Sequence, residues 1–375
     1  MEFKCVKSDL NNAIQIVEKA VAVRSTLPII GNILIEASSK GLKLSSNDLE
    51  IGIELYMDAE IIEEGAILAP AKTLSSIVNK LSEGEVNFRV DNRNKTILIT
   101  AGRSKFNIHG LATDDFPVVH KIDKGTVITI NAETLKEMVR QTIIAVSMDE
   151  VKQFLNGILL EKDKSELRFI ATDGFRLAKK VTLLQNDNND DVVSAIIPSK
   201  ALQEVNRILQ QLDYQGDVTI TLSREQVSFT FEKLYFVSRI IQGQFPDYKQ
   251  VIPKESKSKV VISRKDLLES MERASIIASS SANIIKLEMV DDKLLVTANT
   301  SRVGNVSELI DVIKEGDTIQ PIAFNVRLIL DVIKNIDEDS IVIGLNSPLA
   351  PGVVTPKDNK DYTYVIMPIR TAEKQ

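Results

Sequence analysis

Tryptophan is absent from the 375 residues, and there are only one cysteine and two histidines. A lone Cys5 cannot close an internal disulfide, and its place in the alternating stretch Phe3-Lys4-Cys5-Val6 reads as a core position. His109 and His120 are too few for a histidine-rich metal site and read as ordinary residues in or beside strands. No run of 18 apolar residues occurs, so no membrane-spanning helix is expected. The start Met1-Glu2-Phe3-Lys4-Cys5 has neither the basic stretch nor the apolar core of an export signal, which points to a cytoplasmic protein.

The familiar carriers of chemistry are also missing. There is no G-x-x-x-x-G-K-[ST] loop, G-x-G-x-x-G turn, H-E-x-x-H helix or C-x-x-C pair. The most site-like fragment is Ala171-Thr172-Asp173-Gly174-Phe175-Arg176-Leu177, with a hydroxyl, a carboxylate and an arginine around a glycine. The related stretch Ser45-Ser46-Asn47-Asp48-Leu49-Glu50 makes it a shared strand-end turn, in which Asp173 caps backbone amides instead of acting as a base. We therefore expect no catalytic residue, no metal and no cofactor.

An excess of positive charge is lacking too. Forty-six Lys and Arg against fifty-two Asp and Glu give a net charge of −6, which argues against a protein that coats nucleic acid by overall attraction. It leaves room for one that collects its positive charge on a single surface.

What the chain does contain is a 43% share of hydrophobic residues, enough for folded domains, arranged as three copies of a roughly 125-residue unit. Phe3–Leu10, Ile128–Leu135 and Val260–Leu267 share one pattern: an alternating strand, a polar cap, then the first leucine of an amphipathic helix. A second series, Pro70-Ala71-Lys72-Thr73-Leu74, Pro198-Ser199-Lys200-Ala201-Leu202 and Asn325-Val326-Arg327-Leu328-Ile329, recurs at offsets of 128 and 127. It follows the short predicted strands Ala66–Ala69, Val193–Ile197 and Ile319–Phe324. Proline suits a helix start, where its missing N–H would be unpaired anyway.

Alternating segments between the helices pair across tight turns: Ile33–Ala37 with Leu42–Ser46, Gly157–Glu161 with Leu167–Ala171, and Ile285–Met289 with Leu294–Ala298. Turns this short exclude the crossovers of a parallel sheet. The fold class is α+β: three repeated domains, each with two helices packed on antiparallel sheets. The polar stretches 121–125 and 253–259 separate the units, which gives domains 1–121, 126–252 and 260–375. Three units in a curved row leave two ends, and a two-fold dimer would close them into a ring. Phe106 and Ile108 in the first unit and Ile276 and Ile277 in the third read equally well as that seam or as internal core.

Charge is distributed unevenly. The six helix cores sum to +4 while the whole chain is −6. Lys72 and Lys80, Lys200 and Arg207, and Arg327 and Lys334 lie seven or eight residues apart, so each pair shares a helix face. Such faces suit phosphates contacted without reading bases, or are ordinary solvated helix surface.

Several blocks occur in order within this threefold repeat: residues 24–32 (Arg24-Ser25-Thr26-Leu27-Pro28-Ile29-Ile30-Gly31-Asn32), Gly102-Arg103-Ser104-Lys105-Phe106, Asp115-Phe116-Pro117 and Leu155-Asn156-Gly157. They continue with residues 171–177, Gly243-Gln244-Phe245-Pro246-Asp247-Tyr248 and Val365-Ile366-Met367-Pro368-Ile369-Arg370. Together, over essentially the whole chain, they resemble the bacterial DNA polymerase III beta subunit family of sliding clamps. The resemblance implies a ring-forming homodimer around duplex DNA, without sequence specificity and without chemistry of its own. It also implies several partners: the replicative DNA polymerase (its alpha-type subunit), an ATP-driven clamp loader, and other clamp-binding polymerases and repair proteins.

Residue by residue, the resemblance makes Arg24, Lys72, Lys80, Gln153, Phe154, Lys200 and Arg207 DNA-facing, with Gln153 standing where the family carries tyrosine. It favours the dimer seam for Phe106, Ile108, Ile276 and Ile277. A cleft for partner peptides is implied at Leu155, Thr172, Gly174, Phe175, Arg176, Leu177, Pro246, Val251, Val365, Met367 and Pro368, adjoined by Ile369 and Arg370. Phe175 replaces a frequent histidine and Gln250 a frequent arginine. Two readings follow, a replicative clamp or a peptide-binding adaptor that no longer encloses DNA, and mass in solution separates them.

Overall fold

Each helix grows directly out of a strand. Glu2–Val6 leads into α1 (Lys7–Val17), Gly65–Pro70 into α2 (Ala71–Lys80) and Thr126–Asn131 into α3 (Ala132–Ile143). Val192–Pro198 leads into α4 (Ser199–Gln211), Ser258–Ser263 into α5 (Arg264–Ala278) and Ile322–Asn325 into α6 (Val326–Ile333). These elements come from a computed structural model that describes residues 1–22, 26–185, 191–318 and 320–370. Arg24, Ile319 and the tail 371–375 lie outside the described residues.

The helix starts follow capping chemistry in two of the expected places. Ser263 accepts the Asp266 amide at 3.4 Å, and Asn325 accepts the Arg327 amide at 3.0 Å. α1 differs from expectation, because Val6 occupies its cap and its apolar side chain offers no acceptor to the first-turn amides. There the Lys7 amide goes to the Gly84 carbonyl at 2.9 Å, and the Lys7 ammonium to Glu83 at 2.8 Å. The last short strand also moves, from the predicted Ile319–Phe324 to Ile322–Asn325. Pro321 explains the shift, since a residue without an N–H cannot extend the ladder.

All ladders among the described strands are antiparallel. Five strands form one sheet, from Glu60–Glu63 at one edge to Ser104–His109 at the other. Eight form a second, running from Thr126–Asn131 to Gly65–Pro70, and twelve a third, running from Val192–Pro198 to Ile322–Asn325. The hairpin turns close as expected: Asp163 opposes Glu166 across Lys164 (φ +55°), and Val290 opposes Lys293 across Asp291 (φ +51°).

The repeats do not each keep a private sheet. Leu234–Arg239 of the second repeat pairs with Ile51–Met57 of the first, and Arg176–Leu183 of the second pairs with Tyr362–Ile366 of the third. Consequently the chain divides into two compact units, Met1–Ala132 with Lys200–Ile240, and Glu133–Ser199 with Ile241–Gln375. In the first unit the apolar stripes of α1 (Leu10, Ile14, Val17), α2 (Leu74, Val78) and α4 (Leu202, Val205, Leu209) are fully buried. Cys5 is buried there as well. In the second unit Leu267 and Met271 of α5 and Ile329 and Ile333 of α6 do the same work.

Candidate functional site

The strand junction in the second unit builds a floor. Leu177 opposes Val365 in the ladder between Arg176–Leu183 and Tyr362–Ile366, and both side chains are buried. With Leu159, Ile170, Ile196 and Tyr248 they form one apolar cluster, against which Phe154, Ile241, Phe245 and Ile252 pack. Over this floor opens a cleft of about 260 Å³. Leu155, Thr172, Gly174, Arg176, Leu177, Pro246, Val251, Val365 and Met367 line it, all nine from the sequence expectation. Lys152, Phe154 and Tyr248 complete the lining.

The other four expected residues stand beside the cleft. The Phe175 ring is 69% exposed, and its carbonyl accepts the Met367 amide at 2.8 Å. Pro368 and Ile369 are half-buried and Arg370 exposed, with the Ile369 amide donating to the Ala323 carbonyl at 2.8 Å.

The turn at one side of the cleft is built as its residue types require. Asp173 Oδ1 accepts the amides of Phe175 (2.9 Å) and Arg176 (3.0 Å), and the Thr172 hydroxyl donates to the Arg176 carbonyl at 2.7 Å. Gly174 sits at φ +91°, a conformation that favours glycine. Asp48 makes the same turn in the first repeat, accepting the amides of Glu50 (3.0 Å) and Ile51 (2.7 Å). Asp173 is thus a turn cap.

Its second oxygen takes the Arg176 Nε at 3.0 Å, while the Arg176 guanidinium also reaches Asp331 on α6 and the Tyr364 hydroxyl (3.5 Å). Burial disfavours that charge, but Tyr364, Asp331 and Asp173 outweigh it and hold the pKa above the ordinary arginine value. Tyr248 donates to Glu161 Oε2 at 2.6 Å, and burial together with that carboxylate pushes its phenol well up.

The expected DNA-facing residues divide by partner. Lys72 and Lys80 on α2 are exposed and have no carboxylate partner among the described residues. Lys200 pairs with Asp48 at 3.2 Å, and Arg207 with Glu204 at 2.7 Å, Glu204 also lying 3.9 Å from Lys19. Gln153 is exposed, whereas Phe154 turns into the cleft. On the seam candidates, Phe106 is 37% and Ile276 69% exposed, and Ile108 and Ile277 are half-buried, so none of the four belongs to the core. Phe106 and Ile108 lie on the edge strand Ser104–His109, whose outer backbone groups are open for pairing.

Lys152, Phe154 and Tyr248 escaped the sequence assignment of the cleft. The signal for Tyr248 was present in Gly243-Gln244-Phe245-Pro246-Asp247-Tyr248, but nothing local says that its ring points inward. Among the described residues no group of three or more His, Cys, Asp or Glu is placed to hold a metal, and no helix is long and apolar enough to cross a membrane.

Repeated strand–helix halves fused edge to edge, with an open apolar cleft at one fusion, give the architecture of a clamp-type protein. Three family descriptions of the DNA polymerase III beta subunit match in order: the N-terminal domain over residues 1–120, the central domain over 129–247 and the C-terminal domain over 249–370. The chain belongs to this family, the beta sliding clamps, which are processivity factors of DNA polymerase and not enzymes. It is 31% identical over 391 residues to the beta sliding clamp of Synechocystis sp., covering 99% of each chain. The solved sliding clamp of Bacillus subtilis superposes with a TM-score of 0.94 at 31% identity, over 99% of this chain and 100% of that one. The clamp of Pseudomonas aeruginosa, solved bound to griselimycin, superposes with a TM-score of 0.92 at 30% identity, with the same coverage.

Proposed function

We propose that this clamp closes as a head-to-tail dimer around duplex DNA and receives its partners, the replicative polymerase and the clamp loader among them, in the cleft over Leu177 and Val365. The observation that carries the cleft assignment is the apolar depression itself. It is open, it has a buried floor, and turn and strand amides at its rim are already bonded, so a peptide's large side chains can enter without stranding polar groups. Met367 adds an adaptable lining suited to more than one partner.

Three domains, 1–121, 126–252 and 260–375, follow the recurrence of the strand–helix halves. DNA-facing roles go to Arg24, Lys72, Lys80, Gln153, Lys200 and Arg207, with phosphates as their targets. Phe154, expected beside Gln153 on that surface, lines the cleft instead. Phe106 and Ile108 of one subunit meet Ile276 and Ile277 of the other, which is how an exposed edge strand and an exposed apolar helix face would be covered. The working place is the cytoplasm, at the nucleoid.

The test is topological. With a matching loader and ATP the protein should stay on nicked circular DNA and leave when the circle is cut. Equal retention on circle and open-ended linear DNA rejects enclosure.

A further inference from the structure

One wall of the cleft is a loop. Residues 243–252 contribute Pro246, Tyr248 and Val251 to the lining, yet within this segment regular structure is limited to the single turn Tyr248–Gln250. The segment organises itself locally: Asp247 accepts the Lys249 amide at 3.2 Å and the Gln250 side-chain amide at 2.8 Å. Its anchorage to the body of the unit is a different matter. The Tyr248 ring is 5% exposed inside the apolar cluster, and its hydroxyl reaches Glu161 Oε2 at 2.6 Å on the strand Gly157–Asp163. Glu161 is steadied in turn by Arg168, 3.8 Å away, which also pairs with Glu166. At the other end of the loop, Gly243 faces Phe154, and a Cβ added there would come within 3.2 Å of Phe154 Cβ.

We propose that Tyr248 is a positioning residue of the cleft, its hydroxyl bond to Glu161 holding the 243–252 wall in the shape that receives a partner peptide. The inference rests on the reading of the cleft as the partner site. A hydroxyl bonded to a carboxylate is among the stronger neutral-to-charged hydrogen bonds, and its loss would leave the loop to be ordered by each incoming peptide. Binding to a preordered wall avoids that entropy cost.

The experiment uses the full-length dimer and labelled synthetic peptides tiled across the replicative polymerase subunit, the tightest of them being titrated against variants. Tyr248→Phe keeps the ring and removes the bond, and should weaken that peptide about fivefold to tenfold, the scale of one well-placed hydrogen bond. Glu161→Ala should lose as much, Glu161→Gln, which keeps an acceptor, less, and the double variant Tyr248→Phe/Glu161→Ala no more than either single change. Hydrogen exchange in the free protein should rise at residues 245–251 and not across the sheet.

Affinity within twofold of the parent for both Tyr248→Phe and Glu161→Ala, while Met367→Ala weakens binding, overturns the positioning role and leaves the cleft assignment standing. Unchanged affinity for Met367→Ala as well overturns both. Should Tyr248→Phe fail to fold, the contrast between Glu161→Ala and Glu161→Gln decides alone, equal losses counting against the proposal.

Discussion

Asp48 and Lys200 form an ion pair of 3.2 Å that ties the turn of the first repeat to the first turn of α4. Asp48 is only 11% exposed, and its other oxygen already holds two backbone amides, so releasing Lys200 to a phosphate would strand a largely buried carboxylate. Lys72 and Lys80 carry no such tie among the described residues. Replacing either by alanine should therefore lower the salt dependence of linear-duplex binding by about 0.9 in log–log slope per lost phosphate contact, and Lys200→Ala by less than half of that. Equal slopes for Lys72→Ala and Lys200→Ala would show that the pair gives way to DNA.

At the cleft, floor and rim should behave differently. Leu177 is 2% exposed, so Leu177→Ala should cost about 2–5 kcal/mol of folding stability as well as partner affinity. Met367 is 37% exposed, and Met367→Ala should weaken a polymerase peptide severalfold with stability changed by less than about 1 kcal/mol. Denaturant midpoints beside peptide titrations separate the two effects.

The seam is open to a charge test. Ile276 is 69% exposed in the single chain, so Ile276→Asp should fold normally and yet place an unpaired carboxylate against the partner subunit. A folded monomer at low micromolar concentration is expected in sedimentation, with peptide binding retained because the cleft belongs to one chain. Half-buried Ile277 should give the same monomer with some loss of stability. Unchanged dimer mass in both variants moves the seam elsewhere.

Cys5 supplies a pH signature. Burial, reinforced by Asp9 and Glu85, raises its thiol to about 12 from an ordinary 9.0. The folded pKa lies above the unfolded one, so the contribution is intact below about pH 9 and is lost as pH rises toward 12, where only the unfolded chain gains by ionising. Each pH unit in that window should remove up to about 1.4 kcal/mol that a Cys5→Ala variant does not lose. Denaturant midpoints of the two proteins at pH 8 and pH 10.5 give the difference, and a thiol reagent at pH 8.5 should react with native protein far more slowly than with unfolded.

Periodicity is a local property, and whatever depended on it was legible in the chain. The alternating strands, the helix stripes of Leu74 and Val78 or Leu202 and Val205, the paired hairpins, the burial of Cys5 and the shared turn at Asp48 and Asp173 each follow from a handful of neighbouring residues. So did most of the cleft lining, through blocks of sequence that resemble one family.

The long strand Gly304–Gly316 escaped because it is largely polar and exposed, with no alternation strong enough to mark it. Tertiary structure alone decided which strands join across repeats, since the pairing of Leu177 with Val365 spans 188 positions and leaves no local trace. It also decided which cations are spoken for, turning Lys200 toward Asp48 while leaving Lys72 free among the described residues, and it swung Phe154 and Tyr248 into the cleft. Partners of this kind are set by the packing of distant segments. A side chain's type limits what it can bond to, but its distance to a candidate partner exists only once the chain is folded.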